Sequence, residues 1–185
     1  MDLSFKDACL VCGYESGHIV LWGLLRTDLL RMIPPPEKSP VLAVKFWKDV
    51  KNNILVANAK GIVYMYKVEY SFFQWSVEKK PLLDLSTPDK KVKGTKPDPT
   101  DTLPDGFFSI QLLNKRDTAN IPELNKHTII AIGSMKMILI LTIEPTVGIV
   151  YKFPRPSGLA DPMIPSLSWG KGSIPGKLTF ILYFL

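Results

Sequence analysis

The residues with the clearest chemical potential are Cys9 and Cys12, whose Cys-Xaa-Xaa-Cys spacing is typical of zinc and thiol–disulfide sites. The apolar residues between and around them predict a β-strand, in which residues three apart point to opposite faces. A zinc site needs about four ligands, and the sequence contains no other cysteine. We therefore predict two buried structural cysteines, no metal and no cofactor.

The two histidines and the acids form no catalytic pattern. His18 follows a predicted turn, and His127 opens a predicted strand with no nucleophile near it in the sequence. The sequence contains no Gly-Xaa-Ser-Xaa-Gly elbow, phosphate-binding loop or His-Glu-Xaa-Xaa-His motif. We predict no catalytic residues and a chain that is not an enzyme. An enzyme whose site is assembled only in three dimensions is the alternative.

A hairpin pattern at residues 9–22 decides the architecture. It reads as an apolar strand, a turn at Gly17 and a second strand ending in Trp22, and looser copies follow at residues 53–66 and 128–141. The spacing from Gly17 to Gly61, the turn glycine of the second copy, falls in the period of about 40–45 residues of WD-type propeller blades. Strands apolar on both faces, such as residues 62–66, suit sheets that are stacked face to face.

The sequence therefore predicts an all-β fold, a partial WD-repeat-like β-propeller of about three to four antiparallel blades whose ring is not closed. The predicted units cover residues 1–33, 38–85, 106–156 and 164–185. Residues 86–105, rich in proline, lysine and aspartate, are predicted to be a mobile insertion. The predicted structural blade positions are Gly17, Trp22, Gly61 and Trp169. Because the ring stays open, we expect the chain to be part of a longer protein.

The second unit allows finer predictions. Its inner strand is placed at residues 41–47 and is followed by a turn at residues 52–53. One face of that strand is predicted to carry Leu42, Val44 and Phe46. Trp47 and Trp169 are predicted to occupy equivalent inner-strand positions and to pack between blades.

The net charge of +6 is concentrated between Lys38 and Lys80. A basic patch attracts nucleic acid or anionic membranes, whereas lysines spaced along strands protect sheet edges. We predict the second situation and no nucleic-acid partner. The chain begins with a charged segment unlike a secretory signal, and its longest apolar stretch, residues 129–143, is shorter than the roughly 20 residues of a membrane-spanning helix.

Six segments together resemble the propeller of the vacuolar protein sorting-associated protein 8 family, in the same order. They are residues 13–22 (GYESGHIVLW), 29–33 (LLRMI), 41–46 (VLAVKF), 138–145 (ILILTIEP), 153–156 (FPRP) and 165–169 (PSLSW). Two features depart from a regular WD repeat. Gly23 follows Trp22 where aspartate is usual, and residues 37–40 lack the usual histidine. We therefore expect the hydrogen-bond network of regular WD blades to be absent.

The resemblance implies a subunit of the class C core vacuole/endosome tethering complex, in which the propeller precedes an α-solenoid and a RING domain. The implied partners are an early endosomal Rab GTPase and other subunits of the complex, with cytoplasmic, peripheral association with endosomal membranes. A late-endosomal sister subunit and a phosphoinositide-binding propeller are the alternatives. The resemblance identifies no partner-binding residue.

Overall fold

Consecutive strands pair into separate sheets in the computed structural model of the chain. It describes residues 1–4, 8–47, 53–72, 74–86, 106–113, 126–155, 165–171 and 178–184. Within these residues, three sheets have four antiparallel strands each and a fourth has two, all in sequence order. The predicted all-β partial propeller is confirmed, and the described sheets do not close a ring.

The strands fall into four groups. The first sheet consists of β1 (Asp2–Ser4), β2 (Cys9–Gly13), β3 (Ile19–Gly23) and β4 (Asp28–Ile33). The second sheet consists of β5 (Val41–Phe46), β6 (Asn53–Asn58), β7 (Ile62–Ser71) and β8 (Gln74–Asp84). The third sheet consists of β9 (Phe107–Leu112), β10 (Thr128–Ser134), β11 (Met137–Glu144) and β12 (Gly148–Pro154). The fourth sheet pairs β13 (Pro165–Lys171) with β14 (Leu178–Phe184).

Three apolar interfaces hold successive sheets together. The first interface lies between the first and second sheets, the second interface between the second and third, and the third interface between the third and fourth. Every residue of β6 and β10 is buried, because each of these strands contributes to the interfaces on both sides of its sheet. This arrangement explains why the strands are apolar on both faces.

The first strand of each sheet lies innermost, since β1 contacts β5, β5 contacts β9, and β9 contacts β13. Two hydrogen bonds hold the junction of the 34–40 linker and β5 against the turns on either side of it. Val41 N donates to Tyr14 O at 3.0 Å, and Ala59 N donates to Pro40 O at 2.9 Å. We call this side, formed by residues 14–18, 34–40 and 59–61, the linker end. The turns after the third strand of each sheet, at residues 24–27, 72 and 145–147, form the opposite, distal end, because antiparallel strands alternate in direction.

The second sheet differs from the prediction in three respects. Asn53 is not in a turn but begins β6 and is buried. β7 continues to Ser71, so the residues after Tyr66 extend the third strand. A β-bulge at Leu42 places that side chain beside Gly106, next to the third sheet, and Val41 joins Val44 and Phe46 at the first interface instead. An extra residue in one strand changes which side chains share a face.

The predicted insertion at residues 86–105 lies outside the described residues, apart from Ser86, and its mobility stays a prediction. Among the described residues, no helix has the length and apolar character needed to cross a bilayer.

Candidate interaction surfaces

The four predicted structural positions occupy different places in the sheets. Gly17 and Gly61 lie in the turns after the second strand of their sheets, with φ of 86° and 80°. Trp22 is half-buried in β3 and is paired with Leu10, on the face directed away from the second sheet. Trp169 in β13 packs against the third interface.

Trp47 and Trp169 are not equivalent, contrary to the prediction. Trp47 is buried at the second interface and faces the sheet that follows its own. Trp169 faces the preceding sheet, where its Nε1 donates to Gln111 O of β9 at 3.2 Å. The two rings therefore lie on opposite faces of their sheets, although both pack between sheets.

The Cys-Xaa-Xaa-Cys pair does not converge. Cys9 lies against the first interface, and Cys12 lies on the other face of β2, as the strand geometry predicts. Both thiols are half-buried, so the prediction of buried cysteines was too strong. His18 contacts Ser16 Oγ through Nδ1 at 2.9 Å in the exposed turn before β3. In the described part of the chain, no group of three histidines, cysteines or acids has an arrangement suited to a metal ion.

At the linker end, the 34–40 linker presses against the turn of the first sheet. A Cβ at Gly17 would lie 2.7 Å from Ser39 O and 2.8 Å from Pro35 Cβ. Only glycine leaves room for this approach, and the positive φ also favours it. The turn is closed by Gly17 N, which donates to Tyr14 O at 2.9 Å. The linker is therefore held tightly on its first-sheet side.

Glu37 holds the other side of the linker to the second sheet. Its Oε1 accepts hydrogen bonds from Asn58 Nδ2 at 2.8 Å and from Tyr64 OH at 3.2 Å, and its Oε2 pairs with Lys60 Nζ at 3.1 Å. Asn58 in turn uses its Oδ1 to accept from Lys60 N and Ile62 N, which fixes the turn before β7. We call this group the Glu37 clamp.

The clamp is a side-chain network that was not predicted, and it differs from the network of regular WD blades, which we expected to be absent. Residues 37–40 do lack a histidine, but a carboxylate in the same segment bonds to the turn and to β7. The sequence signal was weak, because an acid in a linker normally points to solvent. Its partners Asn58, Lys60 and Tyr64 lie 21 to 27 residues further along the sequence.

The clamp perturbs the pKa of both of its titrating members. Partial burial acts to raise the pKa of the Glu37 carboxyl, but the hydrogen bonds from Lys60, Asn58 and Tyr64 and the Lys60 charge outweigh it, so the pKa lies below 4.5. Burial, followed by the negative charge of Glu37 and its hydrogen bond, raises the pKa of Tyr64 to about 12. The arrangement favours an ionised Glu37 beside a neutral Tyr64.

Tyr66 is a buried aromatic residue of the first interface, and its hydroxyl has no hydrogen-bond partner among the described residues. Burial is the main reason that the pKa of Tyr66 rises to about 12, with smaller contributions from Tyr64 and Glu37. A buried hydroxyl without a partner destabilises the folded state. This side chain therefore contributes through its ring and not through its hydroxyl.

A second polar contact ties the first two sheets near their inner strands. Asp2 Oδ2 accepts from Phe46 N at 2.8 Å, and Asp2 Oδ1 pairs with Lys45 Nζ at 3.3 Å. The carboxylate of Asp2 in β1 thus accepts a hydrogen bond from the backbone of β5, the inner strand of the next sheet. Charge-assisted bonds of this kind are stronger than neutral ones.

Among the described residues of the second unit, the basic side chains do not form one patch. Lys45, Lys60 and Lys67 are paired with Asp2, Glu37 and Glu69. Lys79 lies over the Tyr64 ring, 5.4 Å from its centre, on the outer strand β8. This distribution agrees with lysines spaced along strands, where they discourage edge-to-edge pairing.

The distal end has a different surface. Its turns expose Leu24 and Leu25 from the first sheet, Phe72 from the second and Val147 from the third. On the outer strand β12, Tyr151 and Phe153 are also exposed and stack with ring centres 6.0 Å apart. The linker end is thus rich in polar contacts, whereas the distal end presents separate apolar side chains.

A comparison with protein families decides the relationship of this chain, because residues 1–180 match the family model described as Vps8 beta-propeller. The chain belongs to the Vps8 β-propeller family. The β-propeller domain of Cps50 (Swd1) from Myceliophteria thermophila is similar at 15% sequence identity and a TM-score of 0.49, over 87% of this chain and 44% of that one. The chain thus spans less than half the length of that propeller. No curated protein matches it.

Membership of the Vps8 propeller family supports a protein-interaction module. That the Vps8-type chain is not an enzyme stays a prediction, although propellers of this family are typically non-catalytic. The family model says nothing of which surface binds a partner. The linker end and the distal end are the two candidate surfaces of the described residues.

Proposed function

We propose that the chain is the propeller part of an endosomal membrane-tethering subunit, acting in vesicle tethering and fusion and in protein sorting to the vacuole or lysosome. The observation that carries this proposal is the match to the Vps8 propeller over residues 1–180. The protein acts by binding other proteins and catalyses no reaction. It is cytoplasmic and associates peripherally with endosomal membranes.

The linker end supports a protein-binding role because it is pre-organised. The Glu37 clamp fixes the linker on one side, and the close approach at Gly17 fixes it on the other. Tyr14 and Lys38 are exposed beside these fixed points. A rigid surface loses little conformational entropy on binding, and tyrosine is enriched at protein interfaces. We therefore place the protein partner at the linker end.

The proposed partner is a GTP-loaded Rab GTPase of early endosomes, acting together with other subunits of the tethering complex. Pull-down of the intact protein with early endosomal Rab GTPases in both nucleotide states tests this. We expect more protein to be recovered on the GTP-bound form. The Tyr14→Ala variant should bind less, and Tyr151→Ala, which removes an exposed ring from the outer strand β12, serves as its matched control. Equal recovery in both nucleotide states, or none, contradicts the proposal.

The same pull-down separates this protein from a late-endosomal sister subunit. Late endosomal Rab GTPases should recover less protein than early ones under the same conditions. A preference for the late endosomal Rab assigns the chain to the sister complex, with the architecture unchanged.

A further inference from the structure

Lys38 stands at the apex of a tight turn in the 34–40 linker. Ser39 N donates to Glu37 O at 2.8 Å, a hydrogen bond between residues two apart that closes a γ-turn with Lys38 at its centre. Lys38 does not have a positive φ, so the turn has the common inverse form. The exposed side chain of Lys38 therefore projects from a closed ring of backbone.

The backbone on both sides of Lys38 is fixed. On one side, the Glu37 clamp bonds the neighbouring carboxylate to the second sheet. On the other side, Ser39 is only 4% exposed, and its carbonyl oxygen packs against the turn of the first sheet at Gly17. Lys38 is thus carried on a segment held between two sheets, and binding through it requires only the side chain to become ordered.

The ammonium group of Lys38 has no acidic partner among the described residues. Lys45, Lys60 and Lys67, by contrast, each pair with a carboxylate. Lys60 is the other lysine of the linker end, and its charge is already balanced by Glu37. Of the two lysines described at this end, Lys38 is therefore the one that remains open to an acid from outside.

We propose that Lys38 is a specificity-determining residue of the linker end and pairs with an acidic side chain of the protein partner. The inference rests on the proposed function and names the chemistry of its contact. A cation on a fixed backbone meets a carboxylate without first ordering the linker, and complementary charges across an interface raise the association rate. Glu37 is a positioning residue, because it acts through the turn that carries Lys38.

An acidic side chain of a protein fits Lys38 better than a lipid phosphate does. Anionic membranes attract clusters of about four to eight basic residues. At the linker end, Lys60 is already paired with Glu37, and Lys45 and Lys67 are paired on their strands. A single cation on a rigid turn suits a single carboxylate.

Binding kinetics of the intact protein with a GTP-loaded early endosomal Rab GTPase test the contact at several salt concentrations. Lys38→Gln should lower the affinity about two- to fivefold and Lys38→Glu about tenfold or more, mainly through slower association. Both effects should shrink as the salt concentration rises. Lys80→Gln removes an exposed charge from the outer strand β8 and is the matched control, which should bind like the wild type.

A double-mutant cycle separates the positioning role of Glu37 from its effect on stability. In the Glu37→Ala background, Lys38→Gln should change the affinity by less than about 1.5-fold, because the turn no longer presents the ammonium group. Equal losses in the two backgrounds show that Lys38 acts independently of the clamp, and they overturn the positioning role.

Limited digestion with trypsin gives a readout that needs no partner. Cleavage after Lys38 should be slow in the wild type although the side chain is exposed, because the backbone on both sides is held. It should be at least about tenfold faster in Glu37→Ala, measured against cleavage after Arg26 in an exposed turn of the first sheet. Equally fast cleavage after Lys38 in both proteins contradicts the inference.

The binding results separate the remaining possibilities. Unchanged Rab affinity in Lys38→Glu overturns the proposal, and weaker binding of that variant to phosphatidylserine vesicles would then assign the cation to a lipid surface. If the wild type recovers no Rab GTPase in either nucleotide state while the digestion behaves as expected, the proposed function fails. The positioning of Lys38 by the clamp is supported in that case.

Discussion

Replacing Glu37 with alanine tests whether the clamp holds the linker to the second sheet. The change leaves Asn58 Nδ2 without an acceptor in a residue that is only 4% exposed, while Asn58 Oδ1 keeps its two backbone donors. An orphaned buried donor costs about 1–3 kcal/mol. The Lys60 pair adds at most about 1 kcal/mol, because the lysine is half-exposed. We expect Glu37→Ala to lower the free energy of unfolding by about 2–3 kcal/mol.

Glu37→Gln is the matched variant, because its amide oxygen still accepts from Asn58 while the charge is gone. It should lower the free energy of unfolding by about 1 kcal/mol or less. Urea titration at neutral pH, followed by tryptophan fluorescence, measures both variants. Equal losses for the two variants, or no loss for Glu37→Ala, would refute the assignment of the stability to the buried hydrogen bond.

The pH dependence gives an independent check of the clamp. The folded-state pKa of Glu37 is below its ordinary value of 4.5, so the ionised carboxylate stabilises the fold above pH 4.5. That contribution is lost as the pH falls through the lower, folded-state pKa. The difference in unfolding free energy between the wild type and Glu37→Ala should therefore narrow in acid. A difference that stays constant below pH 4.5 would contradict the linkage.

Two further substitutions test the packing at the linker end and at the first interface. Gly17→Ala should lower the unfolding free energy by about 2–3 kcal/mol, because a Cβ there meets Ser39 O and Pro35 in a left-handed backbone. Gly148→Ala, where the nearest atom is 3.6 Å away, should change it by no more than about 0.5 kcal/mol in the same urea titration, and equal losses would refute the close approach. Tyr66→Phe should stabilise the protein by about 1 kcal/mol at neutral pH, since it removes a buried hydroxyl without a partner. Because the folded-state pKa of Tyr66 is about 12 against an ordinary 10.0, wild-type stability falls as the pH rises from 10 towards 12, and urea unfolding across that range should show a smaller fall in the variant.

The repeat could be predicted because its signals are local. Gly17 and Gly61 mark turns that need a positive φ, and the strands beside them are apolar on both faces. These are properties of short segments, and the same segments pair with their sequence neighbours in the sheets. The pattern of those segments predicted the order of the strands. It also predicted that Cys9 and Cys12 lie on opposite faces of β2.

The features that were not predicted depend on strand pairing and on contacts between segments that are distant in the sequence. The bulge at Leu42 shifts which residues share a face, and nothing in the alternation of β5 reveals it. The opposite directions of Trp47 and Trp169 depend on which neighbouring sheet each strand packs against. The partners of Glu37 come from the end of β6, the turn after it and β7, and the spacing of acids and lysines cannot identify them.

Phe72 is an intermediate case, because the sequence alone shows an unusual residue type for a hairpin turn. Phenylalanine followed by Phe73 stands between two strands, where a hairpin turn favours asparagine and glycine. A mismatch between the residue type and the turn is visible without coordinates. Its exposure required the structure.

The sequential order of the sheets also has a consequence for synthesis on the ribosome. The bond between Asp2 and Phe46 joins residues 44 apart, and the bond between Trp169 and Gln111 joins residues 58 apart. At about 5–20 residues per second, the first contact waits roughly two to nine seconds after Asp2 is made. Each nascent sheet thus keeps one apolar face uncovered until its successor emerges, an interval during which chaperones have access to it.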